Sequence, residues 1–283
     1  MAMMDFSLLN LSYEVRFLIE TAYASSIGKV RKSNQDFVKV FKNQKGIVLA
    51  IVCDGMGGHQ GGDVASTMAV THLGHNFSMT DFADANLAHK WLDVQLNSEN
   101  ETILKTADKF PDLNGMGTTI VLAFAFDKNA LIAHLGDSRA YSYSEGKFVQ
   151  LTEDHSLVNE LVKMGQITKE QAKHHPQKNI ITQALGVSST IDPEFDEIKM
   201  GGNDIILLCT DGLTNSLSDP QIQQILATKE LSLRERCNKL ISEANRLGGG
   251  DNITVCLIWN KEDESSDRSV SYTHLTLPTI CSV

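Results

Sequence analysis

The chain has 283 residues, 42% hydrophobic and 21% charged, so it can build a sizeable core, and neither disorder nor a collagen-like repeat fits the composition. Lysine and arginine total 25 against 35 aspartates and glutamates, and the formal charge of −10 disfavours non-specific nucleic-acid binding while suiting divalent cations. Its 5 cysteines, an odd number without a C-x-x-C pair, exclude a disulfide framework or a cysteine zinc site and lead to the expectation of a cytoplasmic protein with reduced thiols.

In chain order, residues 1–15 read as an N-terminal extension without order, carrying neither a secretion signal nor a membrane anchor. Residues 13–23 and 37–41 alternate as strands around the polar turn Lys32-Ser33-Asn34-Gln35. Residues 46–53 are apolar on both faces, as in a strand buried between layers, and the run stops at Asp54-Gly55. Residues 63–77 and 86–109 have helical periodicity, and 117–126, 130–135, 139–144 and 147–151 follow at the spacing of antiparallel hairpins. Residues 157–185 open with a helix over 157–164 and then become polar and irregular around His174 and His175, which predicts a surface insertion or flap. A strand over 204–210, a helix over 232–247 and a strand over 253–259 complete one domain spanning 16–260, and 261–283 read as a vector-derived or disordered tail.

Four aspartates share one setting: Asp54, Asp137, Asp211 and Asp251 each sit where an apolar strand meets glycine. A single Asp-Gly pair is an ordinary turn. Four that converge cannot all stay charged unaided, since two unit charges at ~4 Å repel by about 4 kcal/mol at an effective dielectric near 20. Oxygen donors without cysteine or histidine at ligand spacing suit magnesium or manganese better than zinc. His72 and His75 read as surface or packing residues, and neither a Walker loop nor a dinucleotide fingerprint is present. Arg31 lies five residues before Asp36 in an irregular polar turn. Alone it is a solvated arginine; with the carboxylates its fork suits phosphate, and the set describes metal-assisted phosphoester hydrolysis. A cysteine-phosphatase alternative fails, because no C-x-x-x-x-x-R loop follows Cys53 or Cys209: His59 and Asn215 stand where the arginine would be.

Seven strings occur in order: Arg31-Lys-Ser-Asn34-Gln-Asp36, Val52-Cys-Asp54-Gly55-Met-Gly57-Gly58-His59, Gly115-Met-Gly117-Thr118-Thr119, Gly136-Asp137-Ser138-Arg139, Thr152-Glu-Asp154-His155-Ser156, Cys209-Thr-Asp211-Gly212 and Gly250-Asp251-Asn252-Ile-Thr254. Together they resemble the bacterial branch of the metal-dependent PPM phosphatases (protein phosphatase 2C type), over about residues 17–259. The resemblance implies an α+β fold, a four-layer αββα sandwich of two stacked antiparallel sheets flanked by helices, with a flap at about 157–185. It implies two manganese or magnesium ions bridged by Asp54 and held further by Asp211, Asp251 and the Gly55 carbonyl, with a third, weaker ion on Asp137 and Asp211. Asp36 would bond to metal waters, and Arg31 would clamp the phosphoryl group while a bridging water attacks phosphorus directly. Met56 stands where many eukaryotic members carry a histidine general acid, so a metal-bound water is expected to protonate the leaving group. Phosphoserine and phosphothreonine proteins are the implied substrates, a Ser/Thr kinase the implied opponent, and a monomer free of nucleic acid the implied state. A binding domain that lost catalysis and a phosphoesterase for small molecules or nucleic acid are the competing readings. The complete set of metal-site residues opposes the first, and the acidic charge opposes the second.

Overall fold

The computed structural model describes residues 17–57 and 61–262, so the expectations for 1–15 and for the tail beyond 262 lie outside the described residues. In chain order the strands are β1 (Phe17–Ser26), β2 (Asp36–Lys42), β3 (Val48–Met56), β4 (Gly117–Thr118), β5 (Ile120–Ala125), β6 (Asn129–Leu135), β7 (Arg139–Ser144), β8 (Lys147–Gln150), β9 (Glu194–Lys199), β10 (Ile205–Cys209) and β11 (Ile253–Glu262). The helices are α1 (Gly61–Ser78), α2 (Ala85–Lys109), α3 (Leu157–Lys163), α4 (Lys169–Lys173), α5 (Asp211–Thr214), α6 (Asp219–Leu226) and α7 (Leu233–Arg246). One antiparallel sheet runs β1-β11-β10-β7-β8, the other β2-β3-β5-β6-β9 with β4 on β3.

The continuous apolar runs follow from the stacking of these sheets. Along β3, Leu49, Ile51 and Cys53 pack under α1 and α2, whereas Val48, Ala50 and Val52 face the other sheet. In β10, Leu207 and Cys209 turn toward α5, α6 and α7, and Ile206 and Leu208 turn inward. Period-2 alternation is thus present, but both faces are dry and both demand apolar side chains. Helices cover the outer faces, giving the expected four layers, and Phe77, Phe82, Trp91 and Phe124 form an aromatic cluster beneath α1 and α2. The Asp84 carboxylate caps α2 by accepting from Leu87 N at 2.9 Å, and Ser232 with Glu235 forms a capping box on α7.

Several elements differ from expectation. The first strand spans Phe17–Ser26 because it pairs with β11 residue by residue, from Phe17 opposite Glu262 to Ser26 opposite Ile253, so residues 261 and 262 belong to the sheet. Strand β9 was not legible in Glu-Phe-Asp-Glu-Ile-Lys: it is an edge strand, largely exposed, and its charges read as loop. Helices α5 and α6 are too short for helical periodicity to register; α6 is marked instead by its Ser218–Gln221 capping box. The predicted strand 117–126 breaks at Thr119, whose hydroxyl accepts from Asp54 N at 3.0 Å. Residues 157–185 form an insertion carrying α3 and α4, fastened at its ends by bridges from Ser156 to Ile181 and from Thr118 to Leu185. Among the described residues no helix is long and apolar enough to cross a membrane.

Candidate metal centre

Strand ends bring the aspartates together. Asp36 opens β2 directly opposite Asp54 near the end of β3, Asp137 follows β6, Asp211 follows β10 and Asp251 precedes β11. Antiparallel pairing places all of these at the same end of the sandwich. The two Asp-Gly pairs are not turns: Gly55 continues β3, and Gly212 lies in α5. Glycine is required there by close backbone approach, since a Cβ would stand 2.0 Å from the Gly62 carbonyl oxygen at Gly55 and 1.9 Å from the Asn252 carbonyl oxygen at Gly212.

A layer of hydroxyl and amide groups, whose roles the sequence did not announce, supports the carboxylates. Thr210 Oγ1 donates to Asp36 Oδ2 at 2.9 Å and accepts from Thr254 N at 3.0 Å, which ties one sheet to the other. Thr119 Oγ1 shares a 2.8 Å bond with Ser138 Oγ, and Thr118 Oγ1 donates to the Asp54 carbonyl. Asn252 accepts from Gln35 N at 2.9 Å and donates to the carbonyls of Ile27 and Ser33, holding the loop that carries Arg31. The available signal was adjacency to a motif aspartate, but a threonine beside an aspartate is common and its partner lies far away in sequence. Thr210→Val is expected to destabilise the protein by roughly 1–3 kcal/mol in chemical unfolding, because it strands the buried Asp36 oxygen and Thr254 N–H.

The site is electrostatically overloaded. Burial, followed by the charges of Asp211 and Asp251 and against hydrogen bonds from Thr254 and Thr210, raises Asp36 to about 7. Burial and then Asp211 raise Asp137 to about 7. Burial followed by Asp36 and Asp211 pushes Asp54 well above the usual carboxylate range, and burial followed by Asp251 raises Asp211. Buried oxygens Asp36 Oδ1, Asp137 Oδ1 and Asp211 Oδ1 have no hydrogen-bond partner. Orphaned buried acceptors in a donor set that is oxygen throughout fit hard divalent cations.

Arg31 Nη2 lies 2.7 Å from Asp251 Oδ2 at the rim, with its side chain 49% exposed. Arg139 instead forms a bidentate pair with Asp154 at 2.7 and 2.6 Å. His72 bonds Glu99 between α1 and α2, and His174 is 81% exposed beside Glu170. Cys53 and Cys209 are fully buried; burial pushes the Cys53 thiol well up and Cys209 to about 12, so neither supplies a thiolate nucleophile.

Carboxylates that cannot all ionise without a cation, with an arginine fork at their rim, are the equipment of a metal-dependent phosphoester hydrolase. Comparison with known proteins narrows that class. The sequence profile described as protein phosphatase 2C matches residues 27–243. A protein phosphatase 2C-type protein of Streptococcus pyogenes is 44% identical over 240 residues, covering 85% of this chain and 97% of the relative. The S. agalactiae serine/threonine phosphatase structure superposes with a TM-score of 0.83 at 42% identity, covering 86% of this chain and 100% of the other. The catalytic domain of the serine/threonine protein phosphatase PstP, solved with 2 manganese ions, superposes at a TM-score of 0.75 and 32% identity, covering 87% and 100%. The chain belongs to the protein phosphatase 2C family of metal-dependent serine/threonine phosphatases.

Proposed function

We propose that this phosphatase releases phosphate from phosphoserine and phosphothreonine in cytoplasmic proteins, as a monomer opposing a Ser/Thr kinase, with manganese or magnesium as its ion. The observation that carries the reading is the cluster of buried, mutually repelling carboxylates with orphaned oxygens beside Arg31. Asp54, Asp211, Asp251 and the Gly55 carbonyl would hold two ions, and Asp137 with Asp211 a third. When bound, the ions supply charge neutralisation and an acidified water as nucleophile.

The chain's own residues do the rest. Thr210 keeps Asp36 aimed into the site, where its free Oδ1 can accept from an ordered water. Arg31, bonded to Asp251 at the rim, would present its fork to the phosphoryl oxygens. No covalent phosphoenzyme is needed, consistent with the inert buried thiols. The insertion 157–185 is rooted on Thr118, beside Asp54, and so borders the site where a phosphopeptide would bind.

The test is manganese-dependent phosphate release from a phosphothreonine peptide, unaffected by thiol alkylation. Absence of turnover at saturating manganese would overturn the reading in favour of a binding domain. Arg31→Ala is expected to lower kcat/KM by ~10–100-fold, the loss of a charge-assisted phosphate contact, with manganese affinity retained. Loss of manganese in calorimetric titration of that variant would place Arg31 in metal retention instead.

A further inference from the structure

Beside the carboxylates lies a second titratable cluster, His134, His155 and Glu194, whose candidate ligand atoms are within 4.8 Å of one another. Its hydrogen bonds oppose metal ligation. His155 Nδ1 accepts from Gly136 N at 3.2 Å, so a neutral ring carries its proton on Nε2, which lies 3.3 Å from Glu194 Oε1 without forming a hydrogen bond. His134 Nε2 bonds to the Glu153 carbonyl at 2.8 Å and therefore also holds a proton. Two nitrogens that hold protons are not free donors.

The same bonds converge on one peptide unit. Gly136 immediately precedes Asp137 and has φ +116, a conformation that local sterics impose only weakly on glycine and that its surroundings must hold. His155 grips this residue twice: its ring Nδ1 accepts from Gly136 N–H, and its main-chain N–H donates to the Gly136 carbonyl at 2.9 Å. The ring is packed for the task, stacked on His134 with centroids 4.6 Å apart and only 7% exposed. The His155 carbonyl in turn accepts from Thr182 N at 2.9 Å, joining the exit of the 157–185 insertion to the same clamp.

We propose that His155 is a positioning residue: by gripping Gly136 through both its N–H and its carbonyl it aims the Asp137 carboxylate into the metal centre and ties that aim to the root of the insertion. The proposal rests on the reading of Asp137 as a ligand of the weakest ion. Its specific chemical requirement is an acceptor at the Nδ1 position, which an asparagine Oδ1 reproduces and a glutamine, reaching to the Nε2 position, does not.

The experiment counts bound manganese by electron paramagnetic resonance of the free ion, in the full-length protein carrying His155→Asn, His155→Gln, His155→Leu or Asp137→Asn. Expected is a weakening of the weakest equivalent by ~10–100-fold in His155→Gln and His155→Leu, with retention in His155→Asn and unchanged tighter equivalents, the scale on which outer-layer partners tune metal affinity. If Asp137→Asn weakens that equivalent while His155→Gln and His155→Leu leave it unchanged, the positioning role is overturned and the ligand reading stands. If Asp137→Asn changes no equivalent, the ligand reading fails and the proposal with it. Should His155→Leu fail to fold, the comparison of asparagine with glutamine decides: equal loss in both overturns the requirement for an Nδ1 acceptor.

Discussion

Asp211→Asn is expected to lower manganese-dependent phosphate release by at least ~10³-fold, about 4 kcal/mol of transition-state stabilisation, while leaving a folded protein. The substitution is nearly isosteric, and the remaining side-chain oxygen can keep the 2.9 Å bond from Asn215 Nδ2. What it removes is the charge at a carboxylate whose Oδ1 is buried and unpartnered and whose ionisation is opposed first by burial and then by Asp251. An amide is a poor ligand for a cation that needs anionic oxygen, so on the proposed reading the site would lose a metal ligand and with it the acidified water. Because Asp211 also lies among repelling carboxylates, the metal-free variant should unfold at the same temperature as the wild type or higher. Peptide dephosphorylation at saturating manganese, paired with thermal unfolding in chelator, checks both halves. Activity within tenfold of wild type, or unfolding well below it, would remove Asp211 from the centre.

The metal-free wild type should lose stability as pH rises from about 4 to about 7, and manganese should abolish the loss. Asp36 and Asp137 are each raised to about 7 from 3.8; Asp54 is raised by burial and then by Asp36 and Asp211, and Asp211 by burial and then by Asp251. Between the unfolded and folded values the native state binds more protons than the unfolded chain, so stability falls with increasing pH across that window and levels off above it. Bound manganese replaces the protons as counter-charge. At ~100 times its dissociation constant, an ion that binds only the native state adds about 2.7 kcal/mol, or roughly 5–10 °C in Tm for a domain of this size. The check is calorimetric unfolding at pH 5, 6, 7 and 8 with chelator and with manganese. A chelated Tm that climbs over this interval would show that the aspartates are not mutually loaded. Manganese affinity measured alongside should increase with pH to about 7, as protons cease to compete.

The site was legible to the extent that its residues cluster in short strings. Asp54, Asp137, Asp211 and Asp251 each end or begin an apolar run, and a sheet architecture carries such positions to one edge; Arg31 and Asp36 stand in an irregular polar loop before a strand. The partners of these residues left no such mark. Thr210 meets Asp36 across 174 positions and Asn252 meets Gln35 across 217, and nothing local distinguishes either from an ordinary strand-end polar residue. His155 is similar: its string drew attention, but its grip on Gly136 depends on how β6 and the insertion meet.

What the sequence by itself determined was the buried strands, the helices and the antiparallel pairing, while the four-layer order of these elements was implied by the family resemblance. Continuous apolar runs in β3, β5 and β10 require two dry faces, the helical periodicities supply the outer covers, and hairpin spacing makes the pairing antiparallel. What only the tertiary structure decided was which side of each element faces which layer, where the charged edge strand β9 docks, and why glycine follows two of the aspartates. Those answers come from contacts between segments far apart in the chain. Periodicity records which residues share a face, but the close passage of the Gly62 and Asn252 carbonyls over Gly55 and Gly212 is set by the assembled backbone.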